Sequence, residues 1–588
     1  MSRIGKAFDW ALIKRVYFYF QPYRGIFTFA VVLTLLMALL APIRPYIIKF
    51  TVDNHILLGD YNGLIKMVFL MLSILAVETI VQFLQTYYTS WLGQNAIKDL
   101  RKQIFNHLTK MRLRYFDQTP IGTLVTRTIS DLEAIAEVMS QGLITISGDL
   151  IQIITIIGVM AYVNWKLTLV SLLTLPLLFI ATYIFKESVK ASFSDVRTAV
   201  SRLNGFMQEH ITGMSVVQLF NREKVEIKKF EDINNQHKKA HIRSVMAYSI
   251  FFPVVEIISS ISLGLIVWYG AKEALIGVVT PGDLFMFILF ISMLFRPMRM
   301  LADKFNTLQM GVVAAERIFH VLDTDARIPD DGTKVLETIK DEVEFQEVYF
   351  AYNEEDGDVL KNISFKVKKG ETIALVGATG AGKSSIINVL SRFYSIRKGK
   401  VLVDGHDIHD YTLDSIRKNI SVVLQDVFLF SDTIANNISL RNKEISREYI
   451  VAAAKEIGAH EFIMRLPGNY DYNVMERGAT LSSGQAQLVS FIRAMIYNPQ
   501  ILVLDEATSS VDSETEALIQ VAIEKLMQGR TSIVVAHRLS TIQHADTILV
   551  LDKGEIMERG SHQELLQQNG MYKNLYDLQF KSGGIKVS

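Results

Sequence analysis

The sequence predicts two fold classes in one chain: an α-helical membrane domain of six spans, followed by an α/β domain built around a glycine-rich phosphate loop. Three observations carry this reading. Half of the 588 residues are hydrophobic, with a mean hydropathy of +0.25, which is high for a chain folded wholly in water. The apolar residues gather in long runs ahead of residue 323 and in short strand-like runs after it. The second part carries "GATGAGKSS", Gly377 to Ser385, directly after an apolar strand. A chain of this length exceeds one hydrophobic core. The expected domains are a membrane domain over 1–325, a linker over 326–341 and the α/β domain over 342–588.

The bulk numbers also exclude. A formal net charge of +1 argues against nucleic acid as a partner, which would call for a strongly basic domain. Without cysteine there are no disulfides, thiolate metal sites or cysteine nucleophile. The N-terminal stretch "MSRIGKAFDW" has no apolar run ending in a cleavage site, so the first spanning helix is expected to do the targeting.

A span needs ~20 apolar residues to cross about 30 Å of hydrocarbon. Residues 25–43 and 167–185 meet this outright, and 64–90, 143–165, 246–270 and 283–305 follow with a charge or two each. Lys98, Arg101, Lys102, Lys110, Arg112, Arg114 and Arg127 crowd one connector, and 186–243 is comparably basic. The connectors at 51–62, 163–166 and 271–282 carry almost no basic residues. By the positive-inside rule both termini and both long loops face the cytosol, which places the chain in the cytoplasmic (inner) membrane. Trp91, Trp165 and Trp268 fall near span ends and Trp10 in an amphipathic stretch, as interfacial anchors do.

The two long loops are helix-periodic, so spans two to five are expected to continue well past the membrane. At their turning points, 115–131 and 204–221, Gly, Thr and Asp mix with Phe116, Ile121, Leu124, Val217 and Phe220. Such apolar residues fit a surface that docks on another domain. Glu78 and Glu256 lie inside spans, where a carboxylate is costly unless it faces a cavity or a partner. Two readings stand for each: lining of a substrate cavity, or an interhelical hydrogen bond. Arg44 and Arg296, each followed by proline, mark expected helix irregularities.

After the polar linker "DTDARIPDDGTK" the pattern turns to short strands alternating with helices. "ETIALVG" runs straight into the phosphate loop, the strand, loop and helix context in which Gly-x-x-x-x-Gly-Lys-Ser binds nucleotide phosphates. Gly377, Ala378, Thr379, Gly380, Ala381 and Gly382 form the cradle, with Lys383, Ser384 and Ser385 opening the helix. The glycines let amides approach phosphate, Lys383 neutralises β and γ oxygens, and Ser384 offers a hydroxyl to Mg²⁺. "ILVLDEATS" ends in Asp505, a Mg²⁺ holder, and Glu506, placed as general base for an attacking water. "TSIVVAH" ends at His537, which can bond the γ-phosphate or orient Glu506, and "SVVLQD" brings Gln425, suited to water or Mg²⁺. Strand ends converging on one edge of a parallel sheet are where such domains bind ligands. The candidate catalytic set is therefore Glu506, His537, Gln425 and Lys383, and the candidate metal set Ser384, Gln425 and Asp505.

A second phosphate device lies far downstream. "LSSGQ" sets Ser482, Ser483 and Gly484 before an apolar helical run, aiming amides and hydroxyls at an anion, yet it has no lysine.

With these motifs in hand the chain resembles, over nearly its whole length, the ATP-binding cassette (ABC) exporters. It looks like a half-transporter of the multidrug and lipid-flippase type, six spans fused to a P-loop NTPase domain. "LSSGQ" is similar to the family signature Leu-Ser-Gly-Gly-Gln, with Ser483 replacing the first glycine and Ala486 standing where a basic or polar residue is common. The resemblance implies that Tyr352 stacks on adenine, that Gln425 is the Q-loop, Asp512 the D-loop and His537 the switch histidine. It further implies that 115–131 and 204–221 are coupling helices and that "MERG" (475–478) contacts them. In this family two nucleotide-binding domains pair head to tail. Ser482, Ser483, Gly484, Gln485 and Asp512 would then reach, in trans, the ATP held by the partner's phosphate loop.

The expected partners follow: a second half-transporter, as a second copy or a different chain, membrane lipid, and a hydrophobic small-molecule or lipid substrate. The expected cofactors are ATP and Mg²⁺. The rival readings are an ATP-gated channel or regulator, which nothing in the sequence formally separates from a pump, and a soluble repair-type ATPase; the spans at 25–43 and 167–185 speak against the second.

Overall fold

The computed structural model describes residues 10–353, 355–505, 513–536 and 539–578. The chain divides into two compact units, Met1–Thr109 with Ile121–Asp325, and Lys110–Pro120 with Ala326–Ser588. The short segment Lys110–Pro120 thus packs with the second unit, although it falls inside the 1–325 block drawn from sequence.

Among the described residues, six helical stretches of the first unit are long and apolar enough to cross a membrane: Gln21–Ile56, Tyr61–Leu108, Ile121–Val163, Trp165–Thr212, Glu223–Leu275 and Pro281–Met298. Each predicted window falls on one of them, 283–305 continuing past Met298 along the helix Pro281–Asp323. The window 143–165 overruns by two residues because Asn164 leaves helical geometry, and its side chain accepts the Leu167 N–H to cap the next helix. Glu223–Leu275 runs 53 residues without a break. At 1.5 Å per residue that is about 80 Å, far more than a bilayer core requires. Val68, Phe69, Leu72, Leu75 and Phe83 of Tyr61–Leu108 are exposed, the apolar face a lipid-embedded helix presents.

Polar contacts tie the spans to one another. Asp53 accepts from the Thr280 hydroxyl (2.7 Å) and the Gly282 amide (2.8 Å), while Thr280 and Asp283 close a capping box at the start of the sixth span. Lys49 pairs with Asp283 at 2.7 Å. Glu78 faces Arg44 at 3.8 Å, so its carboxylate has an interhelical partner. An Asp149–Lys304 ion pair, not anticipated from sequence, lies between the third and sixth spans. Pro297 sits inside the last helix, whereas Pro45 follows the break at Ala41 and Pro42 in the first.

Among the described residues the second unit holds ten strands: β1 (Glu342–Phe350), β2 (Leu360–Lys368), β3 (Thr372–Val376), β4 (Lys398–Val403), β5 (His406–Asp407), β6 (Ile420–Val423), β7 (Ile501–Asp505), β8 (Thr531–Val535), β9 (Thr547–Asp552) and β10 (Glu555–Gly560). They form an antiparallel sheet ordered β2-β1-β4-β5 and a larger one ordered β10-β9-β3-β8-β7-β6. In the larger sheet β9, β3, β8, β7 and β6 are parallel. All five residues of β3 and of β8 are buried, as parallel strands covered on both faces must be. Phe345 and Phe365 stack across the β1–β2 pair at 4.6 Å.

The segment 110–120 joins this unit through its backbone. Arg112 N–H donates to Ala326 O (2.8 Å) and its Nε to Arg327 O (2.7 Å). The short helix Leu113–Gln118 then meets the second unit: Gln118 donates to Asn353 (2.9 Å) and the Tyr394 hydroxyl donates to Asp117. The other turning point, in the first unit, carries the helix Met214–Leu219, with Val216, Leu219 and Phe220 exposed.

Candidate nucleotide site

The phosphate loop begins where β3 ends. Its glycines answer two demands. At Gly377 a Cβ would lie 2.3 Å from Leu551 O of β9, so the loop can hug the sheet only without a side chain. Gly380 and Gly382 have φ of +84° and +105°, in the left-handed region, and Gly382 is the N-cap of the helix Lys383–Leu390. Ala378 and Thr379 are exposed, while Ala381 is buried and its carbonyl accepts from Gly554 N at 3.1 Å.

The Lys383 ammonium donates to Gly377 O (2.7 Å) and Ala378 O (3.0 Å), folding the side chain over the loop. Burial pushes its pKa below the ordinary lysine value, and the Asp505 carboxylate pulls the other way. The exposed Ser384 hydroxyl donates to Asp505 Oδ2 at 3.3 Å, which joins the phosphate loop to the end of β7. A hydroxyl and a carboxylate side by side are hard oxygen donors of the kind Mg²⁺ takes, so these two residues fit the ion.

Tyr352 lies two residues beyond β1. Its hydroxyl shares a hydrogen bond with Ser385 Oγ (3.0 Å) and accepts from Asn388 Nδ2 (3.1 Å). Its ring meets Tyr394 edge to face at 5.1 Å and Phe350 at 4.8 Å. Burial, with help from Asp117, drives the Tyr394 phenol well above the ordinary tyrosine range, so it stays a neutral donor. Asn388 and Tyr394 were not read from sequence as site residues. The aromatic in "SRFYS" just after the phosphate-loop helix was the available signal.

The ends of β3, β8, β7 and β6 fall on one edge of the sheet, in that spatial order. Asp505 closes β7. Gln425 lies two residues past β6, which stops at Val423 rather than running through "SVVLQD", and it is exposed. Glu506, Asp512 and His537 lie outside the described residues.

The second device is built as a helix start. Ser482 N-caps the 14-residue helix Ser483–Ile496: its Oγ accepts from Gln485 N (3.2 Å), and Gln485 Oε1 accepts from Ser482 N (3.1 Å). That capping box follows directly from Ser-x-x-Gln. Gly484 is buried, whereas Ser482 and Ser483 are exposed, so the serine that replaces a glycine projects its side chain outward. Just upstream, Met475 and Arg477 take φ of +58° and +55°, costly for residues with a Cβ.

Six candidate spans and a phosphate-loop sheet domain in one chain define a membrane protein that works with nucleotide. Residues 27–298 match the family described as ABC transporter transmembrane region, and 360–509 match the one described as ABC transporter. The chain is 38% identical over 527 residues to YheH of Bacillus subtilis, a probable multidrug resistance ABC transporter ATP-binding/permease protein, covering 88% of this chain and 77% of that one. It is 39% identical over 538 residues to an ATP-dependent lipid A-core flippase of Haemophilus influenzae, covering 91% of each. A solved bacterial Atm1-family ABC exporter with ATP bound superposes with a TM-score of 0.79 at 29% identity, over 95% of this chain and 99% of that one. The chain belongs to the ABC transporters. It is a multi-pass exporter of half-transporter build that binds ATP and couples its hydrolysis to transport.

Proposed function

We propose that two copies of this chain form a homodimeric exporter that moves amphipathic small molecules or lipids across the cytoplasmic membrane. One observation carries the pairing: the chain owns two phosphate-binding devices, the lysine-bearing loop at Gly377–Ser385 and the exposed helix start at Ser482. In the dimer the second closes over ATP held by the partner's first.

Lys383 leaves the carbonyls of Gly377 and Ala378 for the β and γ oxygens of ATP, and the loop amides take the rest. Tyr352 supports adenine with its ring, itself held by Ser385 and Asn388. Ser384 and Asp505, with Gln425, would hold Mg²⁺, whose charge would offset that of the phosphates. From the partner, Ser482, Ser483 and Gly484 face the γ-phosphate at the positive end of their helix, with Gln485 holding the cap; Asp512 is assigned to the same trans contact from sequence alone. Glu506 takes a proton from the attacking water and His537 orients it. ATP binding draws the two domains together and hydrolysis releases them. The coupling segments pass that cycle to the spans as alternating access. The substrate class is supported by relatives named as a probable multidrug resistance transporter and as lipid A-core flippases.

The test is reconstitution of the chain alone in liposomes, with ATP-driven accumulation of the dye Hoechst 33342 and flipping of a fluorescent phospholipid measured beside a Glu506→Gln control. ATP-dependent movement of either probe, lost in the control, is expected. ATP hydrolysis without movement of either would overturn the substrate class, and ATP binding without hydrolysis would overturn the homodimer.

A further inference from the structure

We propose that His210 is a proton-dependent clasp at the root of the second cytosolic hairpin, fixing the apolar tip Met214–Leu219 when its ring is charged and loosening it when neutral. The proposal rests on the reading of this tip as a coupling element.

His210 lies in the last turn of the helix Leu175–Thr212, and Glu226 in the first turn of Glu223–Leu275. Between them the chain reverses through the tip. Both imidazole nitrogens face acceptors: Nδ1 lies 2.8 Å from Phe206 O and Nε2 lies 2.8 Å from a Glu226 carboxylate oxygen. A neutral imidazole carries one N–H and cannot donate to both, whereas imidazolium can. Loss of the proton would set a lone pair against the carbonyl or against the carboxylate, and one of the two contacts must open.

The surroundings hold the ring for this purpose. It stacks on Phe206 with centroids 3.7 Å apart and planes 16° apart. The other Glu226 oxygen pairs with Lys229 at 2.8 Å, so the carboxylate is held from both sides. The charged neighbours are Glu209 on its own helix, Arg222 in the turn, and Glu226 with Lys229 on the facing helix. The tip helix itself contributes no charged side chain. All of these border an open cleft of about 750 Å³ whose apolar wall is Val216, Val217 and Phe220. The clasp is therefore the polar side-chain closure next to the tip; farther from it the same two helices are bridged by Arg202 with Gln236 (3.1 Å) and by Arg243 with Asp195 (2.9 Å). A positive ring also suits the C-terminal end of its helix.

The native chain has no cysteine, so Leu219→Cys, at an exposed position, accepts a single spin label on the full-length protein in liposomes. As pH rises from about 5.5 to about 8.5, across the histidine range, the immobilised spectral component is expected to be lost. In His210→Gln, which bonds Glu226 but does not titrate, that pH response should vanish. A label spectrum that ignores pH, or responds equally in His210→Gln, overturns the clasp. ATP hydrolysis measured on the same samples separates the two readings. A pH limb that disappears in His210→Gln extends the clasp to coupling, and a label response without one keeps the clasp but overturns its part in coupling.

Discussion

Gly377 and Gly380 belong to one motif, yet the structure assigns their substitutions different costs. In Gly380→Ala the new Cβ points into open space, and the penalty is the left-handed backbone at φ +84°, roughly 1–2 kcal/mol for an L-residue. An unliganded loop can relax that strain, so it returns when the loop must cradle phosphate. Affinity should fall about 5- to 30-fold, given tenfold per 1.4 kcal/mol, with little change in melting. In Gly377→Ala the Cβ would sit 2.3 Å from Leu551 O, against the 3.4 Å where ordinary contact begins. That oxygen belongs to β9, which pairs with β3 through Leu375↔Leu549 and Val376↔Val550, so it cannot retreat alone. Overpacking of this kind costs about 1–3 kcal/mol or more. It is present with or without nucleotide, and should lower the melting temperature by several degrees on the order expected for a domain of this size. Differential scanning calorimetry and titration with a fluorescent ATP analogue read the two effects separately. Parental melting in Gly377→Ala, or an equal loss of melting temperature in Gly380→Ala, would refute the reasoning.

Other substitutions separate packing from chemistry. Lys383→Ala should lose nucleotide affinity, measured by the same titration. Ser482→Ala removes an N-cap, about 1 kcal/mol of local stability, and with it a phosphate contact. Hydrolysis should fall while binding to the isolated phosphate loop persists. Ser483→Gly removes an outward-projecting side chain and leaves in place the helix-start amides and the Ser482 cap that face phosphate, so hydrolysis should stay within about twofold, the span of a change near 0.5 kcal/mol. Asp53→Ala orphans the Thr280 hydroxyl and the Gly282 amide. A loss of about 1–3 kcal/mol is expected, read as a lower melting temperature of the reconstituted protein.

Periodicity and composition made much of this molecule legible. Six helices stand where the apolar windows lie, because a bilayer imposes a length that sequence cannot hide. β3 and β7 carry Lys383 and Asp505 to one edge, as short buried strands ending in polar residues predict. What escaped were contacts between residues distant in sequence. Asp149 and Lys304 are 155 positions apart, and nothing local marks them as a pair. Asp117 and Tyr394, separated by 277 positions, meet in a unit to which Lys110–Pro120 is also tied by the single bridge Met111↔Arg327. "SVVLQD" has no breaker and so reads as strand through Gln425, whereas the pairing of β6 with β7 ends at Val423↔Leu504.

The central claim is that Ser482–Gln485 of one copy closes the ATP site of another. The cysteine-free chain allows a direct measurement: Thr379→Cys and Ser483→Cys, both at exposed positions, placed together in a Glu506→Gln background and oxidised with and without ATP and Mg²⁺. The account predicts a disulfide-linked dimer that forms only with nucleotide. A disulfide confined to single chains, or a dimer indifferent to ATP, would contradict it.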